Sequence, residues 1–196
     1  MSKLALGTVQ FGLDYGVSNF TGQTNLSEAT KIIKLAKEEN LDLIDTAISY
    51  GDSEKIIGKI GILDFRFVSK LPSVSSIKED LNVILEEMIK KSLQRLGVKS
   101  LYGLLIHKSQ DLLDSSGNKL IFALNQIKAK GLIKKIGVSI YDPSEIDKII
   151  NLFKIDIIQA PLNIVDRRLE KSGWLKKLHN KNIEIHTRST FLQGLL

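Results

Sequence analysis

Four side chains able to carry or accept a proton stand where short apolar runs give way to polar sequence: Asp45, Tyr50, Lys70 and His107. Asp45 ends the run holding Leu43 and Ile44, and Tyr50 follows on a loop that closes with Gly51. Lys70 ends Phe67-Val68-Ser69, and His107 follows Leu104-Leu105-Ile106. Runs this short and apolar read as strands buried in a sheet and closed by turn-forming residues. Each group alone has an ordinary use. Aspartate forms turns and caps, a loop tyrosine packs on a surface, a lysine and an aspartate make structural ion pairs, and a histidine caps a strand end. Those uses do not predict four titratable groups at successive strand ends, where an α/β barrel gathers its reactive groups on one face.

The elements that must position them alternate along the chain. Strands are expected at 4–7, through Asp45, and at 67–70, 102–106, 135–138, 155–160 and 183–188. A glycine-punctuated loop through Gly12, Gly16 and Gly22 follows the first strand, and a helix capped by Ser27 runs to Asn40. Further helices are expected at 53–60, at 78–96 with Leu81, Leu85, Met88, Ser92 and Leu96 near one face, at 119–130, from Asp142-Pro143 onward, and at 169–180. Gly97 and Gly131 read as helix terminators. Strands alternating with helices imply parallel pairing through crossovers. The fold class is α/β, a parallel (β/α)8 TIM-barrel type with about seven strands in this sequence. A doubly wound sheet would gather its ligand groups at one switch point after a glycine fingerprint, and Gly7-Thr8-Val9-Gln10-Phe11-Gly12 does not match one.

Composition narrows the partners. The 196 residues are 43% hydrophobic and 26% charged, the balance of one globular domain rather than a disordered or membrane-spanning chain. The first apolar run is too short for a signal-peptide core, so a cytoplasmic location is expected. With no cysteine, disulfides, thiolate catalysis and cysteine-bound zinc are excluded. No histidine–carboxylate spacing suggests a metal site. The net charge of +6 falls mostly on lysines of helix faces, and aromatics at 6% do not make a nucleic-acid surface. A modest positive field favours an anionic ligand such as a phosphorylated cofactor.

From residue 42 to residue 51, then Phe67-Val68-Ser69-Lys70, Ser92-Leu93-Gln94-Arg95-Leu96-Gly97 and Leu104-Leu105-Ile106-His107, the chain resembles the aldo-keto reductase family. Gly137-Val138-Ser139, Gln159 with Asn163, and Leu192-Gln193-Gly194-Leu195-Leu196 extend the likeness in the right order over essentially the whole chain. The resemblance implies reduction of an aldehyde or ketone, a sugar-like one included, with NADP(H) as cofactor and NAD(H) not excluded. It makes Tyr50 the proton donor, Lys70 its neighbouring cation, Asp45 the partner that holds Lys70 charged, and His107 the group that orients the substrate oxygen. A free tyrosine titrates near about 10, so Lys70 is expected to pull Tyr50 down.

By position, the resemblance also implies cofactor contacts at Gly7, Thr8, Asp45, Ser139, Gln159, Arg188, Ser189 and Gln193. Many members carry an asparagine after the serine, where this chain has Ile140, and an aromatic where it has Arg188. That arginine could stack like the aromatic or contact phosphate. His186 reads as a hydrogen-bonded interior histidine. Family members continue through an eighth strand and a helix that holds the adenosine and ribose phosphate, so the expectation is a single barrel domain over 1–196, truncated at its C-terminus. Self-association through the open sheet edges would cover them. The competing expectation is a catalytically inactive relative, or a binding or regulatory subunit of the same fold.

Overall fold

The computed structural model describes residues 3–61 and 64–196. Its centre is a sheet of seven parallel strands in chain order: β1 (Leu6–Gly7), β2 (Leu43–Asp45), β3 (Arg66–Leu71), β4 (Leu101–Ile106), β5 (Ile133–Ser139), β6 (Ile157–Pro161) and β7 (Glu184–Arg188). Helices α1 (Val9–Gly12), α2 (Leu26–Glu38), α3 (Ser53–Ile60), α4 (Leu81–Leu96), α5 (Gln110–Leu113), α6 (Gly117–Ala129), α7 (Ile146–Leu152), α8 (Arg168–Lys171) and α9 (Trp174–Asn180) fill the connections. The sheet curls, so its strands have an inner face and an outer face, and side chains alternate between them. Outward residues such as Ile44, Phe67, Leu104 and Ile158 join the large core under the helices. Inward residues Leu43, Val68, Leu105 and Ile157 form a separate apolar cluster.

Strand register fixes the inward set. Leu43 pairs with Arg66, Val68 with Gly103, Leu105 with Gly137, and Ile157 with both Gly137 and Glu184. Gly103 and Gly137 keep this interior from overfilling. A β-carbon on Gly103 would stand 2.7 Å from Ile157 Cδ1, and one on Gly137 would stand 2.6 Å from Leu105 Cδ2. Below the apolar layer lies a polar floor. The Lys135 ammonium and the Arg66 guanidinium sit 4.6 and 4.4 Å from the Tyr102 ring centroid, and Tyr102 Oη donates to Glu184 Oε2 at 2.7 Å.

The helices differ from expectation where local chemistry competes. Asn25, not Ser27, caps α2, its side chain accepting from the Glu28 N–H at 3.0 Å. Helix α1 is a single turn in a segment read as loop, and α5 a single turn where no element is expected; both are too short to show a period. The helix expected over 169–180 is two, α8 and α9, because Gly173 adopts a left-handed φ of 76° between them. Asp142 and Glu145 form a capping box around Pro143, so that segment opens with a 3₁₀ turn before α7. Helix α4 begins at Leu81, capped by Asp80, rather than at 78.

One buried carboxylate ties three elements together. Glu54 on α3 accepts from Ser69 Oγ of β3 at 2.8 Å and from Ser92 Oγ of α4 at 2.6 Å, while Arg95 Nε and Nη2 reach its other oxygen at 2.8 and 2.6 Å. Removing a buried, fully bonded charge costs about 3 kcal/mol or more. Glu54→Ala should therefore lower the melting temperature by roughly 6–12 °C, a chain of this size losing about 2–4 °C per kcal/mol. Glu87→Ala, which breaks an exposed pair with Lys91 on the same helix, should leave melting unchanged in the same calorimetric comparison.

Candidate active site

Period-two alternation carries one inward residue of each strand past the apolar layer to the carboxyl-end mouth. Two residues beyond Leu43, Val68, Leu105 and Ile157 come Asp45, Lys70, His107 and Gln159, and the same step on β5 and β7 gives Ser139 and Arg188. All six line one cleft of about 1180 Å³ together with Tyr50. The strand-end residues singled out in the sequence are thus brought together by the sheet.

Lys70 is 2% exposed. Its ammonium donates to Asp45 Oδ2 at 2.6 Å and to the Thr46 carbonyl at 2.9 Å. The second oxygen of Asp45 accepts from Gln159 Nε2 at 2.8 Å, and Gln159 Oε1 in turn accepts from Ser139 Oγ at 3.2 Å. Both oxygens of the carboxylate are therefore satisfied, and the ammonium is held in one place at the bottom of the mouth. The Tyr50 ring lies with its centroid 4.8 Å from Lys70 Nζ, and the His107 ring meets it edge-on at 6.1 Å and 76°.

Tyr50 reaches this position because its loop is clamped from below. Ser53, fully buried at the start of α3, donates to the Thr8 carbonyl at 2.9 Å and lies 3.2 Å from Thr46 Oγ1. Ser53 N–H also bonds the Tyr50 carbonyl at 3.0 Å. Gly12 passes so close that a β-carbon there would fall 1.7 Å from the Tyr50 carbonyl oxygen. Only glycine lets the two backbones meet.

Burial pushes the Tyr50 phenol above its ordinary value of 10.0; Lys70 pulls it down, and Asp45 pushes it up again. The expected lowering by Lys70 is present but is outweighed, because the cation is already paired and the ring is shielded from water. The phenol is held in its protonated form, the state a proton donor must start from. Burial, followed by Lys70, drives the His107 imidazole below its usual 6.5, so it is neutral at pH 7. A neutral ring can donate a hydrogen bond to a substrate oxygen without competing as an acid.

The expected cofactor-contact positions divide. Gly7 is open, with no atom within 4 Å of a notional β-carbon. Thr8 is 1% exposed and its hydroxyl is committed, donating to the Asp45 carbonyl at 2.9 Å and accepting from Ser53 at 3.0 Å. Ser139 and Gln159 face the cleft but are bonded to each other. Arg188 Nη2 donates to the Ile140 carbonyl at 3.1 Å, and the guanidinium stacks 4.3 Å from the Tyr141 ring centroid. The Ser189 carbonyl accepts from Asn163 Nδ2 at 3.1 Å. Gln193 clasps the loop after β1: Val17 N–H donates to its side chain at 3.2 Å, and Ser18 Oγ donates to its carbonyl at 2.7 Å. His186 Nε2 lies 2.8 Å from Glu184 Oε1 in the floor, the interior role expected of it. Among the described residues no cluster of metal-ligating side chains occurs, and no helix is long and apolar enough to cross a membrane.

Sequence reasoning missed Thr46, Ser53, Gly12 and Tyr141 as positioning residues. Thr46 and Ser53 act through buried hydroxyls and backbone carbonyls, Gly12 through its lack of a side chain, and none carries a spacing signal. Tyr141 had one available, lying two residues past Ser139 at the same strand end.

A parallel α/β sheet curled toward a barrel, with a lysine, an aspartate, a tyrosine and a histidine at its carboxyl-end mouth, is the architecture of a reductase class. The profile of the Aldo/keto reductase family matches residues 3–196, and the chain belongs to that family of oxidoreductases. It is 29% identical over 217 residues to a protein of Escherichia coli (strain K12) described as an NADH-specific methylglyoxal reductase, and 27% identical over 209 residues to an uncharacterized oxidoreductase, YqkF, of Bacillus subtilis (strain 168). Both alignments take in all of this chain, which spans 65% and 67% of the length of these two relatives. Among solved structures, glycerol dehydrogenase AKR11B4 from Gluconobacter oxydans superposes with a TM-score of 0.74 at 25% identity, covering 100% of this chain and 62% of that one. The holo form of aldo-keto reductase AKR11C1 from Bacillus halodurans reaches 0.80 at 22% identity, covering 100% and 64%, and shows the shared (β/α)8 fold.

The titrations give a stability prediction. The unfolded chain binds a proton at histidine near 6.5, whereas folded His107 binds it only at lower pH, so stability should fall as pH drops below 6.5 through that window. Replacing His107 by Gln should flatten this part of the profile. Glu184 contributes later: burial would raise it, but hydrogen bonds from His186, Lys135 and Tyr102 bring it down to about 2, so its contribution is lost as pH falls from about 4.5 toward that value. Urea midpoints measured between pH 7.5 and 4 for both proteins check the sign. A profile unaltered by His107→Gln contradicts it.

Proposed function

We propose that this chain reduces an aldehyde or ketone to an alcohol, with Tyr50 delivering a proton to the carbonyl oxygen as hydride reaches the carbon. The supporting observation is the placement of a buried, Asp45-held ammonium 4.8 Å from the Tyr50 ring centroid. As negative charge develops on the substrate oxygen, the phenol gives up its proton, and the phenolate left behind faces a fixed cation. Asp45 keeps Lys70 charged and oriented, which removes the cost of an unpaired buried ammonium. His107, neutral and at the edge of the ring, donates to the substrate oxygen and sets the direction from which Tyr50 meets it.

When bound, a reduced nicotinamide dinucleotide, the cofactor type of the family, would supply the hydride. The residues fit such a group: the cleft is large, Gly7 leaves open space beside it, and Arg188 Nε is a buried donor with no partner. Ser139 and Gln159 would bond the carboxamide, and Ser189 and Gln193 would lie along the phosphates. The Escherichia coli relative is described as NADH-specific, which weighs against taking NADP(H) alone.

Tyr50→Phe should cut carbonyl reduction by about 10²- to 10⁴-fold, the usual worth of a positioned general acid. NADH and NADPH binding, followed by the nucleotide's fluorescence, should be unchanged, since the ring remains. Turnover equal to that of the unaltered protein would overturn the assignment of Tyr50.

A further inference from the structure

Among the described residues no hydrogen bond holds the His107 imidazole, which meets Tyr50 edge-on at 6.1 Å between ring centroids. Its direction is therefore inherited from the backbone of the segment 107–111 that leaves β4. On one side this segment is fastened to the end of β3. His107 N–H bonds the Leu71 carbonyl at 3.2 Å. The buried Asp111 carboxylate accepts from Ser73 Oγ at 2.8 Å and from the Val74 N–H at 3.1 Å. On the other side Ser109 Oγ donates to Glu145 Oε2, 36 residues further along the chain.

Glu145 is a fixed point for that bond. Its other oxygen accepts from the Tyr141 N–H at 3.0 Å and from the Asp142 N–H at 2.7 Å, the second as part of the capping box before α7. Arg168 of α8 braces the same turn, reaching Asp142 Oδ2 at 2.7 Å and the Tyr141 carbonyl at 3.2 Å. Capping thus accounts for Oε1 of Glu145 and leaves Oε2 turned toward Ser109. A hydroxyl donating to a carboxylate makes a short bond about twice as strong as a neutral pair. The segment that begins at His107 is held taut between the loops after β3 and β5.

We propose that Ser109, bound to Glu145, is a positioning residue that aims the His107 imidazole at the space beside Tyr50 where a substrate oxygen must lie. The effect on turnover rests on the reading of the Tyr50 mouth as a carbonyl-reducing site; the aim of the ring does not. Cutting the bond frees one side of the segment and lets the imidazole swing away from Tyr50.

Ser109→Ala removes the bond and leaves the capping box in place, while Ser109→Thr keeps the hydroxyl. With ring-labelled histidine and tyrosine, cross-relaxation between the His107 and Tyr50 rings should be present in the unaltered protein and in Ser109→Thr, and should weaken in Ser109→Ala. With 4-nitrobenzaldehyde and NADH or NADPH as probes, kcat/KM should fall about 10- to 10²-fold in Ser109→Ala, the scale of a catalytic group misplaced by about 1 Å. It should recover in Ser109→Thr, and nucleotide binding should be the same in all three proteins. In a His107→Gln background Ser109→Ala should cost less than about twofold, because a residue that acts through His107 has nothing left to aim. Melting curves report whether each fold is kept. Should Ser109→Ala not fold, Glu145→Gln, which keeps an acceptor for the cap and removes the charge, should show a smaller loss in the same readings.

Cross-relaxation absent from the unaltered protein, or unchanged in Ser109→Ala, overturns the proposal. So does an equal loss of kcat/KM with and without His107, the mark of a structural effect that bypasses the imidazole. If the unaltered chain reduces 4-nitrobenzaldehyde with neither nucleotide, the reading of the mouth is what fails, and the cross-relaxation still decides the aim of His107.

Discussion

An ammonium group cannot be buried at the mouth of a sheet without a fixed counter-charge, and the structure is arranged around meeting that requirement for Lys70. Leaving a buried charge unpaired costs several kcal/mol, so the lysine is tenable only where a carboxylate stands opposite it. Asp45 does so from the neighbouring strand, and its other oxygen is occupied by Gln159 from four strands further on. The bond from Gln159 to Asp45 spans the mouth, and the ion pair thereby depends on the curl of the whole sheet. Any change that flattens the sheet separates Gln159 from Asp45 and loosens the cation beneath Tyr50.

The same demand explains the packing around it. Polar groups at the mouth and polar groups at the floor sandwich one apolar layer of Leu43, Val68, Leu105 and Ile157, with Gly103 and Gly137 leaving room for it. The same cleft is lined by groups of the mouth and by Arg66, Glu184 and His186 of the floor. Burial of the Tyr50 ring, more than the neighbouring cation, sets the direction in which its phenol is displaced. The tyrosine loop is held by contacts with no freedom to drift: Ser53 to Thr8, Ser53 to Tyr50, and Gly12 pressed against the Tyr50 carbonyl. Reaction geometry is tolerant of little more than half an ångström, so such clamping is what a preorganised donor requires.

Much of this is legible in the sequence because the strand period is short and strict. Once Leu43–Asp45 and Phe67–Lys70 are read as strands, Asp45 and Lys70 must share a face with the groups at the other strand ends, and the structure brings them together. The helix spans follow less well. Ser27 looks like a cap and Asn25 is the cap, because both residue types serve and the backbone decides between them. The break at Gly173 is not legible, since an isolated glycine is tolerated inside a helical pattern. The titration of Tyr50 is not legible for a different reason: the sequence pairs Lys70 with Asp45 but does not give the depth of the ring. Thr8 has a spent hydroxyl, and that depends on Ser53, forty-five residues away. Membership of the aldo/keto reductase family supplies the order of these parts, while distances and burial decide what each can do.

The most direct measurement is an NMR titration of the protein with ring-labelled tyrosine, following Tyr50 in the unaltered chain and in Asp45→Asn. If burial raises the phenol and the Asp45–Lys70 pair tunes it, Tyr50 titrates above its ordinary value in the unaltered protein and moves down in Asp45→Asn, where Lys70 is no longer opposed. A Tyr50 signal that titrates at the ordinary value of an exposed tyrosine and does not move in Asp45→Asn would contradict this account of the site.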